Sequence, residues 1–126
     1  MKSFLLSLFL ASSFFAKGQN LYIKTYGNKK DKIIIFIHGG PSGNATLFEG
    51  TTAQKLADQG FYVIAYDRRG EGRSQYPNAK FTFEEAFQDL NFIYATYHLK
   101  KAIILGHSFG GLVATLYTNK YPKNVS

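Results

Sequence analysis

Ala102-Ile103-Ile104-Leu105-Gly106-His107-Ser108-Phe109-Gly110-Gly111 is the stretch on which the fold turns. Ala102 to Leu105 is an unbroken apolar, β-branched run, as in a strand buried on both faces. Gly106 to Gly111 follows as a tight turn, and Leu112 to Tyr121 has the composition of a helix stopped by Pro122. Gly106-His107-Ser108-Phe109-Gly110 fits the pattern G-x-S-x-G, in which a strand turns sharply into a helix with a serine at the apex. Glycines two before and two after, Gly106 and Gly110, let neighbouring backbone pass close by. Such a turn presents the Ser108 hydroxyl clear of the sheet. It also aims the Phe109 N–H, at a helix N-terminus, toward any oxyanion formed there. The alternative is a plain strand-to-helix turn with Ser108 as an N-cap.

Two more strands of the same kind precede it. Ile33 to Ile37 runs into His38-Gly39-Gly40-Pro41, and Phe61 to Tyr66 runs into Asp67-Arg68-Arg69-Gly70-Glu71-Gly72-Arg73-Ser74. Leu21 to Tyr26 alternates as an early strand, and Asn28 to Asp31 is a polar turn. A short helix fits Thr51 to Gln59, with Gly60 as its C-terminal stop. Thr82 and Glu85 have capping-box spacing. Phe83, Phe87, Leu90, Ile93, Tyr94 and Tyr97 then mark one apolar face of a longer helix. Strands alternating with helices imply an α/β fold with a mostly parallel sheet and flanking helices. Ligands in such sheets bind beyond the carboxyl ends of the strands, where all three unusual loops lie. Gly40 is the expected second oxyanion donor, with Gly39 as the neighbouring choice. His38 is expected to be buried and to hold that loop. Asp67 is expected to shape its own loop by accepting backbone N–H bonds.

The chain has 126 residues, 45% of them hydrophobic, and a net charge of +7. That composition is not disordered and allows one domain at most. There is no cysteine, which excludes disulfides, thiolate metal sites and a cysteine nucleophile. No metal-ligand spacing of His or carboxylate is present, so neither a metal nor an organic cofactor is implied. Lys29, Lys30 and Lys32 cluster, as do Arg68, Arg69 and Arg73. Both clusters are expected to be solvated surface rather than a nucleic-acid site. Met1-Lys2-Ser3 is a short basic start, and Phe4 to Ala16 is an apolar run. Ala16-Lys17-Gly18 offers the small residues that a signal peptidase reads. Residues 1–18 are therefore expected to be a secretory signal, leaving residues 19–126 secreted or periplasmic with no stable membrane anchor.

Together, His38-Gly39-Gly40-Pro41, Asp67 to Ser74 and Gly106 to Gly111 resemble, in order and spacing, the N-terminal half of an α/β-hydrolase. The resemblance covers Leu21 to Ser126. The H-G-G-P loop is similar to that of prolyl iminopeptidases, which usually continue with glycine where Ser42 stands here. His107 and Phe109 around the serine look more like esterases, monoacylglycerol lipases and carbon–carbon bond hydrolases. The serine apex departs from the aspartate of the dehalogenase and epoxide-hydrolase branches. The resemblance implies a serine hydrolase acting on a small ester, amide or short peptide through an acyl-enzyme on Ser108. The other expectation is a non-catalytic binding module on the same fold.

A Ser-His-acid triad of this family needs an acid and a histidine after the serine. Phe109 to Ser126 contains no Asp, Glu or His. His107 is expected to pack beneath the turn, and His98 to lie at the surface near a helix end. The sequence is thus expected to be a fragment, truncated after the helix that follows the serine. It should be inactive alone, and poorly soluble or molten.

Overall fold

The computed structural model describes residues 20–126; the segment expected to be a signal lies outside them. Four strands form one sheet: β1 (Ile23–Tyr26), β2 (Lys32–Ile37), β3 (Phe61–Tyr66) and β4 (Ile103–Gly106). Their spatial order is β1-β3-β2-β4. β2 pairs in parallel with both β3 and β4, while β1 pairs antiparallel with β3. The three apolar runs of the sequence are thus the three parallel strands, but β4 is not buried on both faces as expected: it is half-buried, with Leu105 exposed, because β2 covers only one of its edges.

Side-chain alternation sends each run to two different layers. Ile35, Ile37, Tyr62, Ile64 and Tyr66 face one side of the sheet. There they pack against α3 (Phe83–Thr96) through Leu90 and Ile93, and against α4 (Phe109–Lys120) through Val113 and Tyr117. Phe36, Val63 and Ala65 face the other side, against Ala45, Phe48 and Ala53. Phe36 and Phe48 stack with centroids 3.7 Å apart and planes 8° apart. Each fully buried Ile, Leu or Phe contributes about 1.5–3 kcal/mol, so both faces of the sheet carry stability.

The helical boundaries differ from the expected ones at two places. The segment after β2 begins at Thr46, not Thr51. It comprises α1 (Thr46–Phe48), a π turn (Glu49–Ala53) and α2 (Gln54–Asp58). Burying Phe48 on Phe36 extends the helix upstream. Gly50, a weak helix former, falls in the wider π turn. The last helix begins at Phe109 rather than Leu112, so the turn after β4 is only His107-Ser108. Helix α3 starts where the sequence placed it, with the Glu85 N–H donating to Thr82 Oγ1 at 3.2 Å. The Glu85 carboxylate accepts from Lys80 N–H and Phe81 N–H, at 2.8 and 2.9 Å, and so caps the residues before the helix.

The chain turns from β2 to β3 on one side of β2, then returns over α3 to β4 on its other side. The strand order therefore reverses at β2, which opens a crevice at the carboxyl ends of β2 and β4. Ile37 lies opposite Gly106 in the register. The residues that follow each of them are brought together there.

Candidate active site

Ser108 stands at the junction of β4 and α4 with φ +53 and ψ −122. This left-handed backbone is costly for any residue with a Cβ. The surroundings hold it there. The His107 N–H donates to Ile37 O at 3.0 Å, and the Gly110 N–H to His107 O at 2.8 Å. A Cβ on Gly106 would strike the Gly110 carbonyl, and one on Gly110 would strike Ile37 O. The Ser108 side chain makes no capping bond to α4 and is exposed. The hydroxyl is thus not used to cap the helix.

The Gly39 loop passes directly beside this serine. A Cβ on Gly39 would lie 3.2 Å from Ser108 Cβ, tight enough to push the loop and the serine apart. Among the described residues, the N–H groups of Gly39, Gly40 and Phe109 have no acceptor. Unpaired donors beside an exposed hydroxyl are the arrangement a developing oxyanion needs. A cleft of about 520 Å³ opens over Ser108, between His38, Gly39, Gly40, Leu47 and His107. A second cavity of about 260 Å³ lies behind Pro41 and Phe109, walled by Arg68, Phe81 and Ala86.

His38 is buried, and its ring joins two loops. Nε2 accepts from the Arg68 N–H at 3.0 Å, which leaves Nδ1 to donate to Gly39 O at 2.5 Å. Burial holds the ring's pKa below its ordinary value and keeps it neutral. Asp67 is also buried. It accepts from the Ala45 N–H and the Arg73 N–H, both at 2.8 Å, and from the Arg73 guanidinium at 2.7 Å. Burial pushes its carboxyl up, but the Arg73 guanidinium and the two N–H groups outweigh this, and it titrates below the usual carboxylate range. Asp67 thereby ties the loop after β3 to the start of the helical segment after β2.

Two expectations need correction. Arg68 and Arg69 are not solvated surface: they are 5% and 6% exposed. Arg69 binds Asp89 of α3 through Nε at 2.7 Å and Nη2 at 2.6 Å. Arg68 Nε donates to Glu71 Oε2 at 2.8 Å. The three-residue spacing of Arg68 and Glu71 was a sequence signal for their pairing, whereas nothing local signalled that Asp89 meets Arg69. His107 does not pack beneath the turn; it is exposed at the edge of the cleft. No described hydrogen bond joins a histidine to Ser108. His98 is exposed, two residues beyond the end of α3.

The alpha/beta hydrolase fold family model matches residues 32–126. The chain belongs to the alpha/beta hydrolase family. It is 32% identical over 108 residues to a proline iminopeptidase of Saccharolobus solfataricus, covering 82% of this chain and 34% of that protein. It is 31% identical to protein phosphatase methylesterase 1 of Candida albicans, covering 81% and 29%. Among solved structures it is similar to a proline iminopeptidase-related protein of Thermus thermophilus. That match has a TM-score of 0.71 and 32% identity over 82% of this chain and 37% of the other. A structure of carboxylesterases from Nitrososphaera gargenis gives a TM-score of 0.75 at 28% identity, over 83% and 38%. The chain spans about a third of the length of the curated relatives it matches. Among the described residues, no group of three or more His, Asp or Glu could hold a metal ion. None of their helices is long and apolar enough to cross a membrane.

Proposed function

We propose that Ser108 is the nucleophile of a serine hydrolase acting on small esters, amides or short peptides. The supporting observation is the strained, uncapped serine at the end of β4, with the Gly39 loop against it. Ser108 Oγ adds to the substrate carbonyl carbon, and the π electrons move to the oxygen. Its proton passes to a base outside the described residues, because His38 is committed to its loop and His107, though at the cleft edge, makes no hydrogen bond to Ser108. His98 lies about 20 Å along α3 from the Phe83 end that stacks on Phe109. Gly40 and Phe109 N–H groups hold the oxyanion. Collapse expels the alcohol or amine, which takes the proton, and water then hydrolyses the acyl-enzyme.

The names of the relatives, an iminopeptidase and a methylesterase, support both an amide and an ester substrate. The native protein should hydrolyse p-nitrophenyl acetate or prolyl p-nitroanilide, and Ser108→Ala should lose that activity by at least about 10³-fold. A Ser108→Ala protein that keeps wild-type turnover would contradict the assignment. Export is part of the same proposal. The mature protein should begin at Gln19, and a mature N-terminus at Met1 would contradict it.

A further inference from the structure

We propose that Arg68 and Glu71 form an ionic brace that orients the Gly39–Gly40 peptide, so that the Gly40 N–H points to the oxyanion position beside Ser108. The inference rests on the serine-hydrolase reading of that site and adds two positioning residues to it.

The geometry begins with the peptide itself. In a trans peptide the carbonyl oxygen of one residue and the N–H of the next point in opposite directions. Whatever holds Gly39 O therefore aims the Gly40 N–H. Two donors converge on Gly39 O: His38 Nδ1 at 2.5 Å and Arg68 Nη2 at 3.2 Å. Arg68 is itself fixed by Glu71, whose Oε2 accepts from Arg68 Nε at 2.8 Å. The other carboxylate oxygen, Oε1, accepts from the Ser42 N–H at 2.8 Å. Arg68 and Glu71 thus grip both ends of Gly39-Gly40-Pro41-Ser42 from the loop after β3. The Arg68 guanidinium also lies 4.7 Å from the centre of the Phe109 ring, the residue that carries the other N–H. A Cβ on Gly40 would fall on Arg68 Nη2 and crowd Glu71 Oε1, so a side chain there would displace the brace.

Stability by itself does not account for this pair. Both side chains are buried, and Arg68 Nη1 has no partner. A buried ion pair with an unsatisfied donor contributes little net stability compared with apolar residues of similar size. Its effect is instead on the orientation of one peptide. Without the Arg68 donor only His38 Nδ1 holds Gly39 O, and the peptide is freer to tilt, which moves the Gly40 N–H off the oxyanion position.

The test uses the native protein and three forms: wild type, Arg68→Met and Arg68→Met/Glu71→Gln. The double variant removes the charge that the single one leaves unpaired and keeps an acceptor for the Ser42 N–H. Active sites are titrated with a fluorophosphonate, and kcat and KM are measured per labelled site. The brace predicts a fall in kcat of about 10–100-fold in both variants, with KM within about twofold. A kcat per labelled site within twofold of wild type, whatever the change in Tm, overturns it. So does failure of both variants to fold. A wild type that does not label at Ser108 overturns instead the hydrolase reading, and the brace with it.

Discussion

Ser42 has φ +61, in the left-handed region that glycine occupies without penalty. The glycine usual at this place in prolyl iminopeptidases, which Ser42 replaces, is thereby explained. Ser42→Gly keeps the N–H that Glu71 accepts and removes the strain. It should stabilise the protein by about 0.5–1 kcal/mol, the αL cost less the added freedom of glycine in the unfolded chain. An unchanged or lower urea midpoint would contradict that. His38 carries the pH dependence. Its folded form resists protonation while the unfolded ring takes up a proton below about pH 6.5. Stability is therefore full above that pH and falls as the pH drops, until the folded ring itself is protonated. Asp67, held low, adds a second loss below about pH 4. Urea midpoints should fall from pH 7 to pH 5 in the wild type and less so in His38→Gln. Equal slopes in the two would exclude His38 as the cause.

At the scale of elements, the π turn and the Ser108 turn make opposite demands on glycine. A Cβ on Gly50 would meet nothing within 4 Å, so Gly50→Ala should stabilise by about 0.5–1 kcal/mol. Gly110→Ala places a Cβ on Ile37 O and should cost about 1–3 kcal/mol. Thermal melts of the two variants should move in opposite directions; a shared direction would contradict the local geometry. The same elements show what was legible in the sequence. The parallel strands were, because Ile33 to Ile37 and Phe61 to Tyr66 are continuous apolar runs that only a doubly covered strand explains. So was the start of α3, because Thr82 and Glu85 encode a cap. The start of α1 was not. It is set by Phe48 stacking on Phe36, a contact between distant residues that no local pattern encodes. The burial of Arg68 and Arg69 was missed for a related reason. Arg69 looks solvated until the fold brings Asp89 of α3 against it, whereas the three-residue spacing of Arg68 and Glu71 was a local sign.

At the scale of the whole molecule, β4 is an edge of the sheet among the described residues. Its outer side carries one isolated bridge among the described residues: Ala102 pairs with Val125 in parallel, with the Ser126 N–H donating to Ala102 O at 3.0 Å. Leu105 and Leu112 remain 38% and 48% exposed near that edge. An apolar strand edge templates association. Residues 19–126 prepared alone should self-associate, and Leu105→Lys should shift the sedimentation profile toward monomer. A monomeric wild type with a sharp melt would contradict this. Catalysis by Ser108 is the central claim, and one measurement addresses it most directly. The native protein is treated with a fluorophosphonate, digested, and its peptides weighed. The account predicts one adduct, on the peptide that carries Ser108. An adduct on another residue, or none on protein shown to be folded, would contradict it.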